Sequence, residues 1–133
     1  MTQIIPSLAA ISEQYEALFV DLWGCVHNGI TALPEAVAAL QSYRAHGGTV
    51  VLVTNSPRPQ VGVEAQLKHF GVPDDAWDSI ATSGDSARAA MFQSVVGKRV
   101  YFIGLPHDLP FFDPIHVVTN PVEITRVALD EAE

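Results

Sequence analysis

The chain has 133 residues, of which 48% are hydrophobic and 17% charged, and its 7 basic and 15 acidic side chains give a net charge of -8. This length suits one domain with a real core, and the apolar content argues against disorder. The acidic balance argues against a nucleic-acid surface, which needs a basic stripe. It is compatible with a phosphorylated small substrate, provided that the site is locally positive.

The single cysteine, Cys25, excludes an intramolecular disulfide and fits a reducing compartment. Residues 1–6 contain neither the basic region nor the long apolar stretch of a secretory signal. No run of the sequence approaches the roughly 18 apolar residues that a membrane span needs. We therefore expect a cytoplasmic protein without a membrane partner.

Apolar runs that are separated by glycine and proline residues predict strands that alternate with helices. The strands are expected over residues 17–21, 49–53, 79–82, 99–104 and 115–119. The helices are expected from Pro34 to His46, from the Ser56-Pro57-Arg58-Pro59 segment to Phe70, and from Ser83-Gly84-Asp85 through Val95 to Gly97. A last helix begins near Ile124 and runs to Glu133 without a cap or an apolar completion, which suggests a fragment.

This alternation indicates βαβ units, and hence an α/β fold with three layers: a Rossmann-like parallel sheet with helices on both faces. The β-branched run over residues 49–53 is typical of strands that are buried on both faces. Ligands of such sheets bind beyond the carboxyl ends of the strands. Asp21, Thr54 and the Thr82-Ser83-Gly84 segment all lie at that edge, where we expect a site for a phosphoryl group.

Two interpretations remain open for each polar group at this edge. In the functional interpretation Asp21 binds Mg²⁺ or attacks a phosphoryl group; in the structural one its side chain caps the Gly24 turn. Thr54 and Asn55 either bind phosphate oxygens, helped by the N-terminus of the following helix, or form a strand-end turn with Ser56 as the helix cap. Arg58, in the same loop, either faces an anionic substrate or is simply exposed.

The loop after Asp21 carries three further candidates. Cys25 is expected to be a small buried hydrophobe rather than a nucleophile, because no Cys-His pair supports catalysis. His27 has no partner acid nearby in the sequence, which favours a structural or solvent-facing role. The indole rings of Trp23 and Trp77 are expected to serve packing rather than recognition.

Three ordered motifs resemble those of the haloacid dehalogenase-like hydrolases. They are Asp21-Leu22-Trp23-Gly24-Cys25-Val26-His27-Asn28-Gly29, Val53-Thr54-Asn55-Ser56-Pro57-Arg58 and Thr82-Ser83-Gly84-Asp85. The similarity is greatest to subclass IIA, the NagD-like phosphatases of sugar phosphates, nucleotides and pyridoxal phosphate. It implies that residues 1–133 form the N-terminal part of an incomplete core domain, without the cap domain and the C-terminal part of the core.

The resemblance also implies residue roles. Asp21 matches the family's nucleophile and metal ligand, and the backbone carbonyl of Trp23 matches a second ligand of Mg²⁺. Thr54 matches the hydroxyl that holds the transferring phosphoryl group, with the amide of Asn55 beside it. Stabilising the charge on the phosphoryl oxygens is most of what such a site must do.

The chain departs from the family pattern in two ways. Family phosphatases usually carry a general acid two residues after the nucleophile, where this chain has Trp23, and His27 is only the nearest alternative donor. The family's third and fourth motifs, which supply a basic residue and further metal-binding acids, are not found.

The resemblance therefore implies a Mg²⁺-dependent phosphatase that acts on a small phosphorylated metabolite through an aspartyl-phosphate. This activity would belong to the complete protein, and the present chain alone is expected to be inactive. The alternatives are a non-catalytic module that binds a phospho-ligand or a protein, and a halide-removing enzyme, which fits the motifs less well. An incomplete sheet would leave an apolar edge exposed, so we also expect homo-oligomers.

Overall fold

The structure is a computed structural model that describes residues 4–113, 115 and 118–133. Its strands are β1 (Ala17–Asp21), β2 (Thr49–Thr54), β3 (Ser79–Thr82), β4 (Arg99–Val100) and β5 (Thr125–Arg126). Its α-helices are α1 (Pro34–Ala45), α2 (Gln60–Phe70) and α3 (Ser83–Phe92). Short 3₁₀ helices cover Leu8–Ala10, Ser12–Gln14, Asp74–Ala76, Pro106–Phe112 and Leu129–Glu131. The chain divides into two compact units: Met1–Thr54 with Val61–Ala81, and Asn55–Gln60 with Thr82–Glu133.

The first unit contains a parallel sheet in the order β1-β2-β3, which confirms the predicted α/β class. Strand β1 pairs with β2 from Ala17 opposite Thr49 to Asp21 opposite Val53. Helix α1 begins with Pro34 at its first turn, as predicted, and ends before Gly47, whose φ of 91° suits only glycine without strain.

One face of this sheet and the two helices enclose the main core. The buried side chains of this core are Leu22, Val26, Val37, Leu40, Tyr43, Val50, Leu52, Val63, Leu67, Val72, Ala76 and Ile80. Right-handed crossovers that step in one direction across a sheet place both helices on the same face, which accounts for this arrangement.

The opposite face of these strands is open to solvent. Phe19 is 77% exposed and Val53 is 40% exposed, whereas Val50 and Leu52 in β2 are fully buried. Burial therefore alternates along β2, and the expectation that this strand is buried on both faces is wrong. The physical reason is that α1 and α2 pack on the same side, so the alternate residues of each strand remain uncovered.

A carboxylate joins α1 to the beginning of β2. Asp78 accepts hydrogen bonds from the Arg44 guanidinium (2.6 Å) and from the backbone N–H of Val50 (2.7 Å). The Arg44 bond, followed by the Val50 bond, lowers the pKa of Asp78 below its usual value. The start of β2, and with it the register that sets its carboxyl end, is thus fixed by side-chain contacts as well as by the ladder.

The second unit has a smaller core, in which Met91 and Phe92 at the end of α3 pack with Ile115 and Val118. Helix α3 ends at Phe92, earlier than predicted, because Ser94 adopts a left-handed φ of 62° and the N–H of Val95 turns back to the carbonyl of Ala90. Val95 is consequently exposed rather than part of the helical stripe.

Strands β4 and β5 form a short parallel pair in this unit. The predicted strand over residues 99–104 is only two residues long because its partner is equally short, and Tyr101 and Ile103 are exposed beyond it. Of the strand predicted over residues 115–119, His116 and Val117 lie outside the described residues, and the other three positions are not in a strand.

The helix predicted over residues 124–133 is wrong. This segment instead forms β5 and a 3₁₀ turn, and its backbone hydrogen-bonds to the chain around β4. The Glu133 carboxylate accepts from the N–H of Lys98 at 2.8 Å, and the Glu133 N–H donates to the carbonyl of Arg99 at 2.9 Å. These non-local bonds satisfy an extended backbone that a helix would otherwise satisfy internally.

Candidate functional site

Asp21 and Thr54 lie at the carboxyl ends of neighbouring parallel strands in the first unit. Asp21 is the last residue of β1 and pairs with Val53, one residue before Thr54 ends β2. The sheet therefore brings these two predicted residues together, at the edge where ligands of α/β sheets bind. The Asp21 carboxylate is exposed and the Thr54 residue is half-buried.

The Asp21 side chain does not cap the glycine turn. Its Oδ1 accepts a hydrogen bond from the N–H of the next residue, Leu22, at 2.8 Å. The N–H of Gly24 instead donates to the carbonyl of His27 at 2.8 Å. Within the described part of the chain, Oδ2 of Asp21 has no hydrogen-bond partner, so this oxygen faces solvent and is free to act on a ligand.

The loop after Asp21 is a tightly bonded turn. The carbonyl of Leu22 accepts from the N–H groups of Cys25, Val26 and His27 at 2.9–3.3 Å. Leu22 and Val26 are buried in the core and anchor the turn. No backbone N–H of the described residues donates to the carbonyl of Trp23, so the turn leaves this oxygen without an internal partner.

Trp23 is 68% exposed, so the expectation that its indole serves packing is wrong for most of the ring. The rest of the ring lies over Gly29, where a Cβ atom would overlap it. It also meets the His27 ring edge-on, with a distance of 5.9 Å between the ring centroids. Gly29 also has a φ of 86°, so two separate requirements select glycine here. The turn holds the indole beside the strand end that carries Asp21.

His27 is buried, with 4% of its surface exposed, and serves the loop structurally. Its Nδ1 accepts a hydrogen bond from the N–H of Gly29 at 3.0 Å, and its ring packs 4.8 Å from that of Phe70. Burial lowers the pKa of His27, against a smaller opposing effect of the Asp21 charge. A neutral ring with its proton on Nε2 fits these contacts, which favours the structural role over that of a proton donor.

Cys25 is exposed, so the expectation of a small buried hydrophobe is wrong at this position. The bonds to the Leu22 carbonyl turn the chain so that Val26 and His27, the next two residues, take the buried places instead. No group of three or more His, Cys, Asp or Glu side chains within the described residues is arranged to hold a metal ion.

Asn55 and Arg58 belong to the second unit, in the loop that precedes α2. Both residues are exposed, and among the described residues the Arg58 guanidinium forms no ion pair. The Ser56 hydroxyl accepts from the N–H of Arg58 at 3.2 Å and does not cap α2, which begins only at Gln60. The interpretation of Ser56 as the helix cap is therefore wrong.

The first amide of α2 already has a partner. The N–H of Gln60 donates to Oδ2 of Asp85 at 2.6 Å, so this N–H does not face a ligand. The first N–H of this helix, which was predicted to help to bind phosphate, is thus bonded to a side chain of the protein itself. The carboxylate also accepts from the Thr82 hydroxyl at 3.1 Å, and Oδ1 accepts from the Arg88 guanidinium at 2.9 Å.

Asp85 lies in the third sequence motif but has no predicted role there, and Arg88 stands in none of the predicted site motifs. Thr82 caps α3 by accepting from the N–H of Asp85 at 2.9 Å, and the Thr-x-x-Asp pattern is a recognisable helix-start signal. Arg88 is buried and also donates to the carbonyls of Phe111 (2.9 Å) and Asp113 (2.8 Å). No local signal predicts these contacts, because the partners lie 23 to 25 residues away along the chain.

Comparison with known proteins places this fold and motif set in a family. Residues 18–120 match the family model of the haloacid dehalogenase-like hydrolases. The chain belongs to the haloacid dehalogenase-like hydrolase family. Its fold is also that of the crystal structure of a hydrolase of the haloacid dehalogenase-like family from Brucella suis 1330, with 40% sequence identity and a TM-score of 0.84. A comparison with curated proteins gives no match.

The similarity to the Brucella hydrolase covers 97% of this haloacid dehalogenase-like chain and 44% of that one. This chain therefore spans less than half the length of its structural relative. The family assignment is confirmed, and subclass IIA is consistent with the matching family model. Within the described residues, no helix has the length and apolar character needed to cross a membrane.

Proposed function

We propose that the full-length protein is a Mg²⁺-dependent phosphate-monoester hydrolase, a phosphatase of small phosphorylated metabolites, with Asp21 as its nucleophile. The observation that carries the proposal is the exposed Asp21 carboxylate at the end of β1, beside the end of β2 where Thr54 lies. Membership of a hydrolase family and the second-motif residues support it.

The oxygens at the end of β1 fit a magnesium ion chemically. Asp21 supplies a carboxylate, and Trp23 supplies a backbone carbonyl that has no internal partner among the described residues. Mg²⁺ prefers oxygen ligands, keeps several waters and is usually held by only one or two carboxylates. When bound, the ion would neutralise charge on the phosphoryl oxygens.

The reaction proceeds in two displacements. One oxygen of Asp21 attacks phosphorus, the bond from phosphorus to the substrate oxygen breaks, and the leaving oxygen takes a proton from solvent water to become an alcohol. Water then attacks phosphorus in the aspartyl-phosphate, which releases inorganic phosphate and restores the carboxylate. In this proposal the Thr54 hydroxyl and the Asn55 N–H bind phosphoryl oxygens, and Arg58 supplies positive charge to the anionic substrate.

Replacing Asp21 by Asn tests the proposal most directly. An amide cannot form the acyl-phosphate, so turnover of p-nitrophenyl phosphate with Mg²⁺ should fall to background. Asp74→Asn is the matched control, because Asp74 is also exposed but lies in a 3₁₀ turn far along the chain. Unchanged turnover in Asp21→Asn would exclude Asp21 as the nucleophile.

Trp23 favours a second candidate, a non-catalytic module that binds a phospho-ligand or a protein. An indole at this position cannot transfer a proton, and its exposed face offers a surface for a ligand. Thermal unfolding with Mg²⁺ and beryllofluoride separates the two functions. A phosphatase should be stabilised only when Asp21 is present, whereas a binding module should respond to inorganic phosphate equally well with Asp21→Asn.

We further propose a cytoplasmic location, which is supported by the exposed, unpaired thiol of Cys25.

A further inference from the structure

We infer that Ser83 and Asp85 are positioning residues that hold the loop of residues 55–60 in the conformation required to bind a phosphoryl group. This inference rests on the proposed function and deepens it, because that loop carries Asn55 and Arg58. All the contacts that support it lie within the second compact unit.

The first contact is made by the Ser83 hydroxyl at the start of α3. Its oxygen lies 2.9 Å from the carbonyl of Asn55 and 2.9 Å from that of Ser56, and it donates its proton to these two acceptors. Beside it, the backbone N–H of Gly84 donates to the Ser56 carbonyl at 3.1 Å. Both carbonyls therefore point toward the start of α3.

The second contact is steric. A Cβ atom at position 84 would lie 2.7 Å from the carbonyl oxygen of Arg58 and closer still to that of Pro57. The loop backbone therefore approaches α3 more closely than any residue other than glycine allows. Pro57 and Pro59 restrict the same loop, because each fixes one φ angle.

The third contact fixes the end of the loop. The Asp85 carboxylate accepts from the N–H of Gln60 at 2.6 Å, and Arg88 and Thr82 hold the carboxylate in turn. Arg88 is buried and donates to two backbone carbonyls as well, so each of its three guanidinium nitrogens makes a hydrogen bond. The loop is consequently held at its beginning by Ser83, in its middle by Gly84 and at its end by Asp85.

The hydrogen bonds from α3 engage two carbonyls and the final N–H of the loop. The bonds from Ser83 and Asp85 do not engage the Asn55 N–H or the Arg58 side chain, which are the groups that must remain available to a phosphoryl group. Preorganised donors of this kind cost no rearrangement when an anion binds.

Ser83→Ala is the decisive variant, since Ser83 is exposed and its loss leaves no buried group unpaired. Ser86→Ala is the matched control: the Ser86 hydroxyl also lies in the first turns of α3 but donates only to the Thr82 carbonyl of its own helix at 3.1 Å. Ser83→Thr keeps the hydroxyl and should restore the wild-type behaviour.

Two measurements on the full-length protein test the inference. Hydrogen exchange without ligand reports the loop directly, and the amides of Arg58 and Gln60 should exchange about threefold to tenfold faster in Ser83→Ala, the factor that one net hydrogen bond is typically worth. The dissociation constant for inorganic phosphate with Mg²⁺ should rise by a similar factor. The midpoint of thermal unfolding should fall by no more than a few degrees.

The outcomes separate this inference from the proposed function. Unchanged exchange, or unchanged phosphate affinity in a protein that does bind phosphate, would overturn the positioning role of Ser83. Equal effects of Ser86→Ala would overturn it too, since they would indicate a general loosening of α3. A wild-type protein that binds no phosphate would contradict the proposed function itself, and the positioning role would fall with it.

Discussion

Replacing Trp23 by Asp should install the general acid that this chain lacks. The family phosphatases that this chain resembles usually carry their general acid at this position, where the indole of Trp23 cannot transfer a proton. General acid catalysis is typically worth about 10²–10⁴ in rate, or roughly 3–5 kcal/mol of activation free energy. We therefore expect kcat for an alkyl phosphate to rise by about that factor in the full-length protein.

The structure indicates that the fold tolerates this substitution. Trp23 is 68% exposed, so only about a third of its surface is buried, against Gly29 and His27. A fully buried tryptophan hides roughly 200 Å², so the loss is about 70 Å², or about 2 kcal/mol at 25 cal/mol per Å². This loss is smaller than the ~5–15 kcal/mol that stabilises a typical domain, so the variant should remain folded.

Comparing two substrates and two variants makes the assay specific. Nitrophenolate leaves without a proton, so turnover of p-nitrophenyl phosphate should change much less than turnover of an alkyl phosphate. Trp23→Asn removes the same indole without adding an acid and should leave alkyl turnover at the wild-type level. The reasoning is refuted if Trp23→Asp is no faster than Trp23→Asn on the alkyl phosphate while both retain Asp21-dependent aryl activity.

Three further predictions concern the scaffold. Leu52→Ala, at a fully buried position of β2, should lower the free energy of unfolding by about 2–5 kcal/mol in urea titrations, whereas Thr49→Ala at the exposed strand start should change it little. Because burial lowers the pKa of His27, the unfolded chain binds the proton more readily; stability should be full above pH ~6.5 and fall below it, a dependence that His27→Asn should remove. The exposed Phe19 and Val53 should cause self-association of the 133-residue chain, which Phe19→Thr should reduce; a clean monomer in sedimentation velocity at high concentration would contradict this.

The elements of the first unit could be predicted because their signals are local. Pro34 marks the start of α1, and Gly47 and Gly71 end their helices with positive φ angles. The placement of Asp21 near Thr54 follows equally from the sequence, since parallel strands bring their carboxyl ends to one edge. The hydrophobic periodicity and the glycine and proline residues at the ends of the elements were sufficient to predict both the elements and the placement of Asp21.

The second unit could not be predicted in the same way, because its structure depends on distant partners. Residues 124–133 are apolar and acidic in a pattern that suits a helix, yet their backbone pairs with a segment 26 to 34 residues earlier. The length of β4 is likewise set by β5 rather than by its own apolar run. Local propensity is a weak guide when the competing hydrogen bonds are non-local.

The loop after Asp21 shows the same limit within the site. Composition alone favours burial of Cys25 over His27, because a thiol is the more hydrophobic group. The structure reverses this order, since the His27 ring packs on Phe70 and its Nδ1 accepts the Gly29 N–H, two contacts that compensate its burial. A polar ring is buried where tertiary partners satisfy it, and these partners are not visible in the local sequence.

Charge imposes a final condition on the proposed phosphatase. A chain with a net charge of -8 repels a phosphate dianion unless positive groups at the site outweigh the negative potential of the whole chain. Asp85 takes the first amide of α2, and Arg88 is fully engaged in its own unit, so neither the Gln60 N–H nor the buried guanidinium supplies that charge. The remaining contributors are Arg58, which forms no ion pair among the described residues, and the cation that the Asp21 and Trp23 oxygens fit. Phosphate binding by residues 1–133 alone should therefore depend on Mg²⁺, and phosphate titrations with and without the ion measure this dependence.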